Sequence, residues 1–376
     1  MRIIYIIQSI YRMGGTEKAT IDQANLIAQN TDHDVHIVSL YKKVNKSQQV
    51  SHFIADNIEI HFLHEKIELL KHSDSFYNLI DLLFKPALTR LINSLSPDIC
   101  IYTSVKLFSY EPARKSILMA HFRFSHFISG KITKYYLEKN HDKFDKVVFL
   151  SEEDMHDYNK YYHIDNGSYI HNYCHIEPKM RSDFSNKTIS YIGRIDNSQK
   201  QLNHALLIIK KLVEQGNFSG WRLNLYGRGA DEEVLLTEIK ALGLNAYVFL
   251  KGAYSNLDST LAKTDVLILT SKFEGLPLSL IEAGLSGIPL ISYDCSPGIS
   301  AIIKDSYNGY LIEQDNTNDF AQRLASLMNN NERLKEFGTN SLTHMLEHFS
   351  QSVILNKWLC LFNDLYKNHK NERISK

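Results

Sequence analysis

The chain has 376 residues, of which 44% are hydrophobic and 22% are charged, as is usual for globular proteins. Lysine plus arginine equals aspartate plus glutamate at 42 each, so the formal net charge is zero. Nucleic-acid-binding proteins usually carry a basic excess, so no nucleic-acid partner is expected. The four cysteines are far apart in sequence and form no CxxC pair, which argues against a zinc site and a disulfide framework.

The amino-terminal apolar run at residues 3–7 is short for a signal peptide and is followed by Gln8 and Ser9. It leads to a Gly14-Gly15 turn rather than to a small-residue cleavage site, so we interpret it as a buried parallel strand. No stretch approaches the roughly 20 apolar residues that span a bilayer. The sequence therefore predicts a cytoplasmic protein, with peripheral attachment to the inner face of the plasma membrane as an alternative.

Apolar runs and amphipathic stretches alternate along most of the chain. Strands are predicted at residues 3–7, 35–40, 58–63, 98–103, 116–120, 146–150, 188–192, 222–226, 247–250, 266–269 and 289–292. Helices are predicted at residues 16–29, 76–95, 200–215, 231–242, 317–329, 331–348 and 351–368. This alternation predicts an α/β protein with parallel sheets and crossover helices.

The alternation is interrupted at residues 176–187, which are polar, contain Pro178 and lack apolar periodicity. We place a linker there, between a Rossmann-like domain at 1–175 and a second one at 188–350. Residues 351–376 form a terminal helix in this prediction. The two domains would face each other across a cleft, at the carboxyl ends of their strands, where parallel sheets bind ligands.

Several strand-to-helix turns combine glycine with positive charge or with the free amides of a helix start. Amides and cations in such turns attract anions. For Arg194, an anion site and a solvated strand-end arginine are about equally good interpretations. The turns in question contain Gly14, Gly15, Gly193, Arg194, Lys200, Gly227 and Gly298.

Residues 264–303 are predicted to run as strand, helix, strand and helix, and they carry two carboxylates of interest. Glu274 lies in the first loop, beside Gly275 and Pro277, where a carboxylate is usually solvated. Glu282 lies mid-helix among apolar residues. A carboxylate in that position either points to water or bonds a specific polar group, such as sugar hydroxyls.

The second half of the chain resembles the retaining glycosyltransferases of family 4, which have the GT-B fold. The resemblance is carried by YIGRIDNSQKQ, NLYGRGADEEVLLTEIKALGL, SKFEGLPLSLIEAGLSGIPLI with its E-x7-E spacing, and NGYLIEQDN. In the first half, GGTEKA, His121 in SILMAHF, and IHNYCH resemble segments of the same family. Departures from the family pattern occur at Ala301, where an acid is common, and around Arg228 and Asp231.

The resemblance implies transfer of a hexosyl or N-acetylhexosaminyl group from a nucleotide diphosphate sugar, with UDP favoured. The acceptor would be a glycan, a lipid-linked sugar or a cell-surface polysaccharide or lipopolysaccharide, bound by the first domain. The resemblance also implies that the terminal helix, residues 351–376, crosses back to this first domain. Arg194 and Lys200 would neutralise the diphosphate, Glu282 would bind the ribose and Glu274 the donor sugar. Because fixed cations would stabilise the leaving group, neither a metal ion nor another cofactor is expected.

The site residues implied by the resemblance fall into three groups. Catalytic roles are implied for His121, Arg194, Lys200 and Glu274. Donor contacts are implied for Gly15, Gly193, Arg194, Lys200, Gly227, Glu274, Gly275, Leu276, Glu282 and Gly298. Acceptor contacts are implied for Gly14, His121 and Arg123.

Residues 121–146 are basic and aromatic, and two interpretations weigh equally. The stretch either rests on an anionic lipid surface or supplies aromatic residues to the core or the acceptor pocket, with its lysines facing water. Three other functions stay open: another GT-B enzyme such as a nucleotide-sugar epimerase or phosphorylase, a NAD-dependent oxidoreductase, and a non-catalytic sugar-binding subunit. The oxidoreductase is disfavoured because no full GxGxxG follows the first strand.

Overall fold

The computed structural model describes residues 1–11, 14–41, 53–64, 74–108, 111, 114–254 and 256–374. The chain forms two compact units. Unit 1 comprises Met1–Cys174 and Gln351–Lys376, and unit 2 comprises His175–Ser350. The terminal helix therefore belongs to the same unit as the amino-terminal half, and residues 176–187 belong to unit 2.

Unit 1 is built on a parallel sheet. Its strands are β1 (Arg2–Ile7), β2 (Asp34–Tyr41), β3 (Glu59–His64), β4 (Ile99–Tyr102), β5 (Lys115–Met119), β6 (Lys146–Phe149) and β7 (Gly167–Tyr169). Among the described residues they lie in the order β3-β2-β1-β4-β5-β6-β7. The helices are α1 (Gly15–Asn30), α2 (Asp74–Leu95), α3 (Phe124–Ser129), α4 (Lys131–Asn140), α5 (Glu152–Tyr162) and, after unit 2, α14 (Gln351–Ile374).

Both faces of this sheet are buried, as its continuous apolar runs require. On one face Tyr5 of β1 joins a core cluster with Trp358 and Phe362 of α14. On the other face Ile6 of β1 joins a second cluster with Leu88 of α2. The terminal helix thus completes the core of unit 1.

Unit 2 repeats the plan. Its strands are β8 (Thr188–Ile192), β9 (Arg222–Tyr226), β10 (Val248–Gly252), β11 (Val266–Leu269), β12 (Leu290–Tyr293) and β13 (Gly309–Ile312), all parallel, in the order β10-β9-β8-β11-β12-β13. Its helices are α6 (Asn197–Lys200), α7 (Leu202–Glu214), α8 (Glu232–Ala241), α9 (Leu257–Leu261), α10 (Leu278–Leu285), α11 (Pro297–Ile302), α12 (Thr317–Met328) and α13 (Asn331–Phe349).

Each sheet has a switch point where the strand order reverses. In unit 1, β1 pairs with β2 on one side and with β4 on the other. In unit 2, β8 pairs with β9 and with β11. Loops that leave the carboxyl ends of the two central strands diverge at such a point and open a crevice for a ligand. The loops after β8 and β11 are therefore the place to look for a site in unit 2.

The predicted α/β architecture is confirmed, and the predicted strands match observed ones to within two residues. Two strands, β7 and β13, were not predicted. The helix predicted at 200–215 is divided, because Gln201 has a left-handed backbone with φ 46° between α6 and α7. Asp196 caps α6 through its side chain, which accepts from the amides of Ser198 and Gln199.

Candidate functional site

The switch point of unit 2 holds a buried ion pair. Lys200 ends α6, and its Nζ donates to Oε1 of Glu274, in the loop after β11, at 2.5 Å. Oγ of Ser271 donates to the same carboxylate oxygen at 2.6 Å. The Lys200 and Glu274 side chains are only 14% and 8% exposed. Two residues predicted to act on different parts of a donor are therefore direct partners in the structure.

The backbone of α6 is fastened to the loop after β11. The Thr270 hydroxyl donates to the Lys200 carbonyl at 3.0 Å, and the Lys272 amide donates to the Gln199 carbonyl at 2.8 Å. The Gln199 side-chain amide donates to the Phe273 carbonyl at 3.2 Å. These bonds hold the carboxyl end of α6, and with it Lys200, against the loop after β11.

Arg194 follows β8 and differs from Lys200 in its exposure. Its side chain is 61% exposed, with Nη2 at 3.2 Å from Oδ2 of Asp196. The same Nη2 donates to Oε1 of Gln199 at 2.7 Å. A hydrogen bond from Ser198, aided by Arg194 and nearby amides, lowers the pKa of Asp196. Arg194 is thus oriented by its neighbours yet open to a ligand from solvent.

Protonated, uncharged groups surround Glu274. Burial raises the pKa of the Cys295 thiol to about 12, and the Glu274 carboxylate contributes in the same direction. Burial and Glu274 also raise the pKa of Tyr191, whose hydroxyl donates to the Arg194 carbonyl at 2.7 Å. Lys200 is therefore the charge that balances Glu274 here, and Cys295 is no thiolate nucleophile at neutral pH.

Glycines let the loops of this edge approach one another closely. Gly227, after β9, has φ 148°, and a Cβ there would overlap the Gly193 carbonyl. A Cβ on Gly298, in α11, would overlap the Gly275 carbonyl, which also accepts from Oγ of Ser296 at 3.3 Å. The glycine turn at Gly227 thus allows close contact between neighbouring loops.

Glu282 and Leu276 are both buried, at 3% and 4% exposure. Glu282 lies in the middle of α10, whose amino-terminal cap Pro277 follows Glu274 by three residues. Leu276 lies between Glu274 and this helix. The chain therefore carries the two predicted carboxylates on consecutive pieces of one segment, the loop after β11 and the helix that follows it.

In unit 1, the predicted residues Gly15 and His121 belong to neighbouring parts of the fold. Gly15 begins α1, whose Thr20 hydroxyl lies 3.3 Å from Nε2 of His121, just after β5. Thr20 donates its own proton to the Thr16 carbonyl at 2.8 Å. His121 therefore donates from Nε2–H, which leaves Nδ1 as an acceptor.

Burial holds His121 in its neutral form. It lowers the pKa of this imidazole from 6.5 to about 4. Gly14, the amino-terminal cap residue of α1, lies against the Glu17 carboxylate, which a Cβ on Gly14 would overlap. Arg123 is half-buried at the start of α3. The neutral His121 of unit 1 thus contrasts with the ion pair of unit 2.

Residues 121–146 combine core and surface positions. Phe124 of α3 is buried at 3% exposure, whereas Phe122, Ile132 and Tyr135 are 40%, 47% and 55% exposed. The Lys139 ammonium lies 5.6 Å from the centre of the Tyr135 ring. Across the described residues, every helix falls short of the length and apolarity needed to cross a bilayer.

No role was predicted for Ser271, Thr270, Thr20 or Gln199. Ser271 and Thr270 directly follow β11, so hydroxyl residues at the carboxyl end of a strand were the signal in the sequence. Gln199 lies within the segment YIGRIDNSQKQ and accepts from Arg194, which it thereby positions. The contacts of Thr270 with Lys200 and of Thr20 with His121 span 70 and 101 positions, and periodicity does not reveal contacts over such separations.

Comparison with known proteins finds a family similarity in unit 2. Residues 176–344, which make up most of unit 2, match the family model described as "Glycosyl transferases group 1". The ion pair of Lys200 and Glu274 lies at the sheet edge within this matched region, which makes it the candidate active site.

Two relatives show how the similarity is spread along the chain. The chain is 30% identical over 233 residues to the poly(ribitol-phosphate) alpha-N-acetylglucosaminyltransferase of Staphylococcus aureus. That match covers 62% of this chain and 47% of the relative, so the chain spans about half of that relative's length. An uncharacterized glycosyltransferase of Haemophilus influenzae is 27% identical over 95% of this chain and 98% of its own length.

A solved structure establishes the fold of the whole chain. A mutant of S. aureus TarM, in complex with fondaparinux, alpha-GlcNAc-glycerol and UDP, superposes with a TM-score of 0.81. The match covers 96% of this chain and 99% of the TarM chain at 19% sequence identity. The predicted GT-B fold is thereby confirmed.

Proposed function

We propose that this protein is a retaining glycosyltransferase of family 4 that transfers a hexosyl or N-acetylhexosaminyl group from a UDP-sugar. The observation that carries the proposal is the pairing of Lys200 with Glu274, beside the exposed Arg194, at the switch point of the unit that matches the group 1 glycosyl transferase model. Cations fixed at this edge suit a diphosphate leaving group, whose negative charge grows as the glycosidic bond breaks. We propose no second function, since the relatives described are glycosyltransferases.

The order in which the donor is bound follows from the different exposure of the two cations, Arg194 and Lys200. Arg194, open to solvent and forked, makes the first contact with the diphosphate. Lys200 then exchanges part of its bond with Glu274 for a phosphate oxygen. The released Glu274 carboxylate accepts from a hydroxyl of the donor sugar, and Glu282 accepts from the ribose. UDP is favoured because the TarM structure contains UDP.

In this proposal, the glycine-containing turns complete the donor-binding site. Backbone amides near Gly193, Gly227 and Gly298 face the donor, as do Gly275 and Leu276 in the loop after β11. Gly15 adds amides from the start of α1. Because the loops of unit 2 are already packed against one another, donor binding requires little reorganisation of their backbone.

The transfer step places positive charge on the sugar and negative charge on the diphosphate. Arg194 and Lys200 stabilise the leaving diphosphate, and we propose that no divalent metal or other cofactor takes part. Unit 1 binds the acceptor through Gly14, Arg123 and His121. The neutral His121 offers Nδ1 to an acceptor hydroxyl and holds it without adding charge.

The acceptor is a glycan, a lipid-linked sugar or a cell-surface polysaccharide or lipopolysaccharide. The S. aureus relative is named for a sugar–phosphate polymer and an alpha-N-acetylglucosaminyl product, which supports this class and an α-linked product. We place the enzyme on the cytoplasmic face of the membrane, with Phe122, Ile132 and Tyr135 against anionic lipid. Sedimentation with anionic vesicles tests that placement, and failure of the protein to co-sediment would refute it.

Donor binding and hydrolysis test the proposal most directly. The full chain is incubated with UDP-GlcNAc, UDP-GalNAc, UDP-glucose, GDP-mannose and ADP-glucose, and thermal unfolding and nucleotide release are measured. We expect one UDP-sugar to raise Tm and to be hydrolysed slowly, with EDTA having no effect. The absence of a Tm shift and of hydrolysis with every donor would refute the proposal.

Variants and stereochemistry sharpen this experiment. Glu282→Gln should raise the Kd for UDP about tenfold, whereas Glu313→Gln, an exposed carboxylate on the same unit, should leave it unchanged. The anomeric coupling constant of the product, measured by NMR on an acceptor glycan, reports the configuration. An α-linked product from an α-linked donor is expected, and a β-linked product would overturn the retaining assignment.

A further inference from the structure

Three metal-ligand side chains lie together at the edge of the unit 1 sheet. They are His36 on β2 and Glu59 and His61 on the neighbouring edge strand β3. In the register of the two strands His36 pairs with Glu59, and Val38 pairs with His61. Because side chains two residues apart share a face, all three point to the same side of the sheet.

The ligand atoms of this cluster are already close. Nδ1 of His36 lies 2.9 Å from Nε2 of His61 and 3.5 Å from Oε2 of Glu59. Nε2 of His61 lies 3.8 Å from Oε1 of Glu59. One atom from each of the three residues fits within 4.8 Å of the others. Among the described residues, it is the one set of three or more His, Cys, Asp or Glu side chains whose ligand atoms all lie within 4.8 Å of one another.

The second nitrogen of His36 faces a carboxylate. Nε2 lies 2.9 Å from Oδ1 of Asp34 but has no aligned hydrogen-bond partner, although the His36 side chain is only 5% exposed. Asp34 is itself held by Nε of Arg2 at 2.7 Å. A carboxylate behind a histidine is the arrangement that fixes the tautomer of a metal ligand and raises its basicity. A small rotation of His36 would align Nε2–H with Asp34 and leave the Nδ1 lone pair for a cation.

The cluster also includes an acidic side chain that can neutralise a cation. Glu59 is 67% exposed and supplies the negative charge.

We propose that His36, Glu59 and His61 bind a divalent transition metal of the zinc class and thereby fasten the edge strand β3 to β2. Two imidazole nitrogens and one carboxylate oxygen are ligands that zinc accepts, and water would complete a tetrahedron. Bond lengths of about 2.0–2.1 Å place two zinc-bound nitrogens roughly 3.4 Å apart. The two rings therefore need to separate by only about half an ångström, which the partly exposed His61 permits.

This site is separate from the proposed donor site. His36 lies near the amino end of β2, two residues after Asp34, which begins the strand. The proposed donor residues lie in unit 2, at the carboxyl ends of its strands, apart from Gly15, which begins α1 after the carboxyl end of β1. A metal bound at β2 and β3 would therefore stabilise the sheet and take no part in the transfer, so it is compatible with the proposed metal-independent reaction.

Metal titration of the full chain tests the proposal. The protein carries Cys360→Ser, since this exposed thiol would also bind zinc. It is stripped with chelator and titrated with Zn²⁺ and with Co²⁺. We expect one ion per chain, a Co²⁺ visible absorption of a four-coordinate site, and a Tm that rises with Zn²⁺ concentration. His61→Ala and Glu59→Gln should each weaken Zn²⁺ binding at least tenfold.

A matched control comes from His344→Ala, which disrupts the other close pair of histidines, His344 and His348, with ring centres 4.6 Å apart. This change should leave Zn²⁺ stoichiometry intact. Stoichiometric binding that survives in His61→Ala, or no uptake by the unsubstituted cluster, would overturn the proposal. Nucleotide-sugar hydrolysis by Glu59→Gln should equal that of the parent, so failure of the metal site is distinguishable from failure of the proposed transferase activity.

Discussion

The carboxyl edges of the two sheets differ in how they treat charge. In unit 2 the edge holds a buried ion pair, Lys200 with Glu274, beside the exposed Arg194. In unit 1 the edge holds His121, which burial keeps neutral and which donates to Thr20. The two sheets follow the same plan, so the difference lies in the loops and not in the fold. In the proposed function, the edge of unit 2 binds the anionic diphosphate and His121 of unit 1 binds a neutral acceptor hydroxyl.

The two cations of unit 2 are held in different ways. Lys200 is buried and paired with the Glu274 carboxylate, which the diphosphate would partly replace in the proposed function. Arg194 is exposed and contacts Asp196 and Gln199. Removal of Lys200 should therefore damage both folding and function, whereas removal of Arg194 should damage function alone.

Loss of Lys200 should have the largest effect. Lys200→Met leaves the Glu274 carboxylate buried with Ser271 as its remaining described partner, a loss on the order of 3 kcal/mol in stability. It also removes a cation from the leaving group, so kcat/KM should fall by about 10²–10³-fold. Urea unfolding and steady-state kinetics with the best donor from the screen measure the two effects.

A double-mutant cycle separates the two roles of the pair. Lys200→Met combined with Glu274→Gln should recover part of the stability, because no lone charge is left buried, but none of the activity. Lys272→Met, an exposed neighbour, is the matched control and should change neither. If activity returned together with stability in the double variant, Lys200 would be only a structural residue.

Loss of Arg194 should have an intermediate effect. Its side chain is exposed and forms only surface contacts, so Arg194→Ala should change stability by less than about 0.5 kcal/mol. The loss of a fixed cation should lower kcat/KM by roughly 10–100-fold. The control is Arg222→Ala. Arg222 begins β9 and so lies at the amino edge of the sheet, whereas Arg194 follows the carboxyl end of β8, and this variant should keep full activity. Equal activity of the two variants would remove Arg194 from the proposed site.

Much of the fold was predictable because buried parallel strands are written as continuous apolar runs, as in Val266–Leu269. The strands that were missed lack that signature. β7 has three residues, and β13 begins with Gly309, where a Cβ would overlap the Leu290 carbonyl. The close approach to Leu290 requires glycine at position 309. Because glycine is a weak strand former, the sequence pattern does not indicate a strand there.

The candidate site was predictable in its residues but not in its contacts. The motif resemblance named Lys200 and Glu274, yet their ion pair joins residues 74 positions apart. The His36 and His61 contact likewise depends on the register of β2 against β3. The register of paired strands and the position of the switch point depend on the packing of the whole sheet, so a local sequence pattern does not predict them.

The unit 1 edge allows the last and smallest test, which uses pH. His121 has a folded pKa of about 4, below its ordinary value of 6.5. Between pH 4 and 6.5 His121 is protonated in the unfolded chain but neutral in the folded chain. Its contribution to the free energy of unfolding is therefore fully present above pH 6.5 and declines as the pH falls toward 4. His121 contributes at most about 1.4 kcal/mol per pH unit to this slope. His121→Phe should remove that contribution, as measured by urea unfolding from pH 4.5 to 8.

The exposed His126 supplies the control for this slope. His126→Asn, five residues from His121, should follow the pH dependence of the parent protein. If His121→Phe declined as steeply as the parent between pH 6.5 and 4.5, His121 would be solvated and charged in the folded state. The contrast between a charged edge in unit 2 and a neutral edge in unit 1 would then fail, and an acceptor hydroxyl would meet an imidazolium instead of an imidazole.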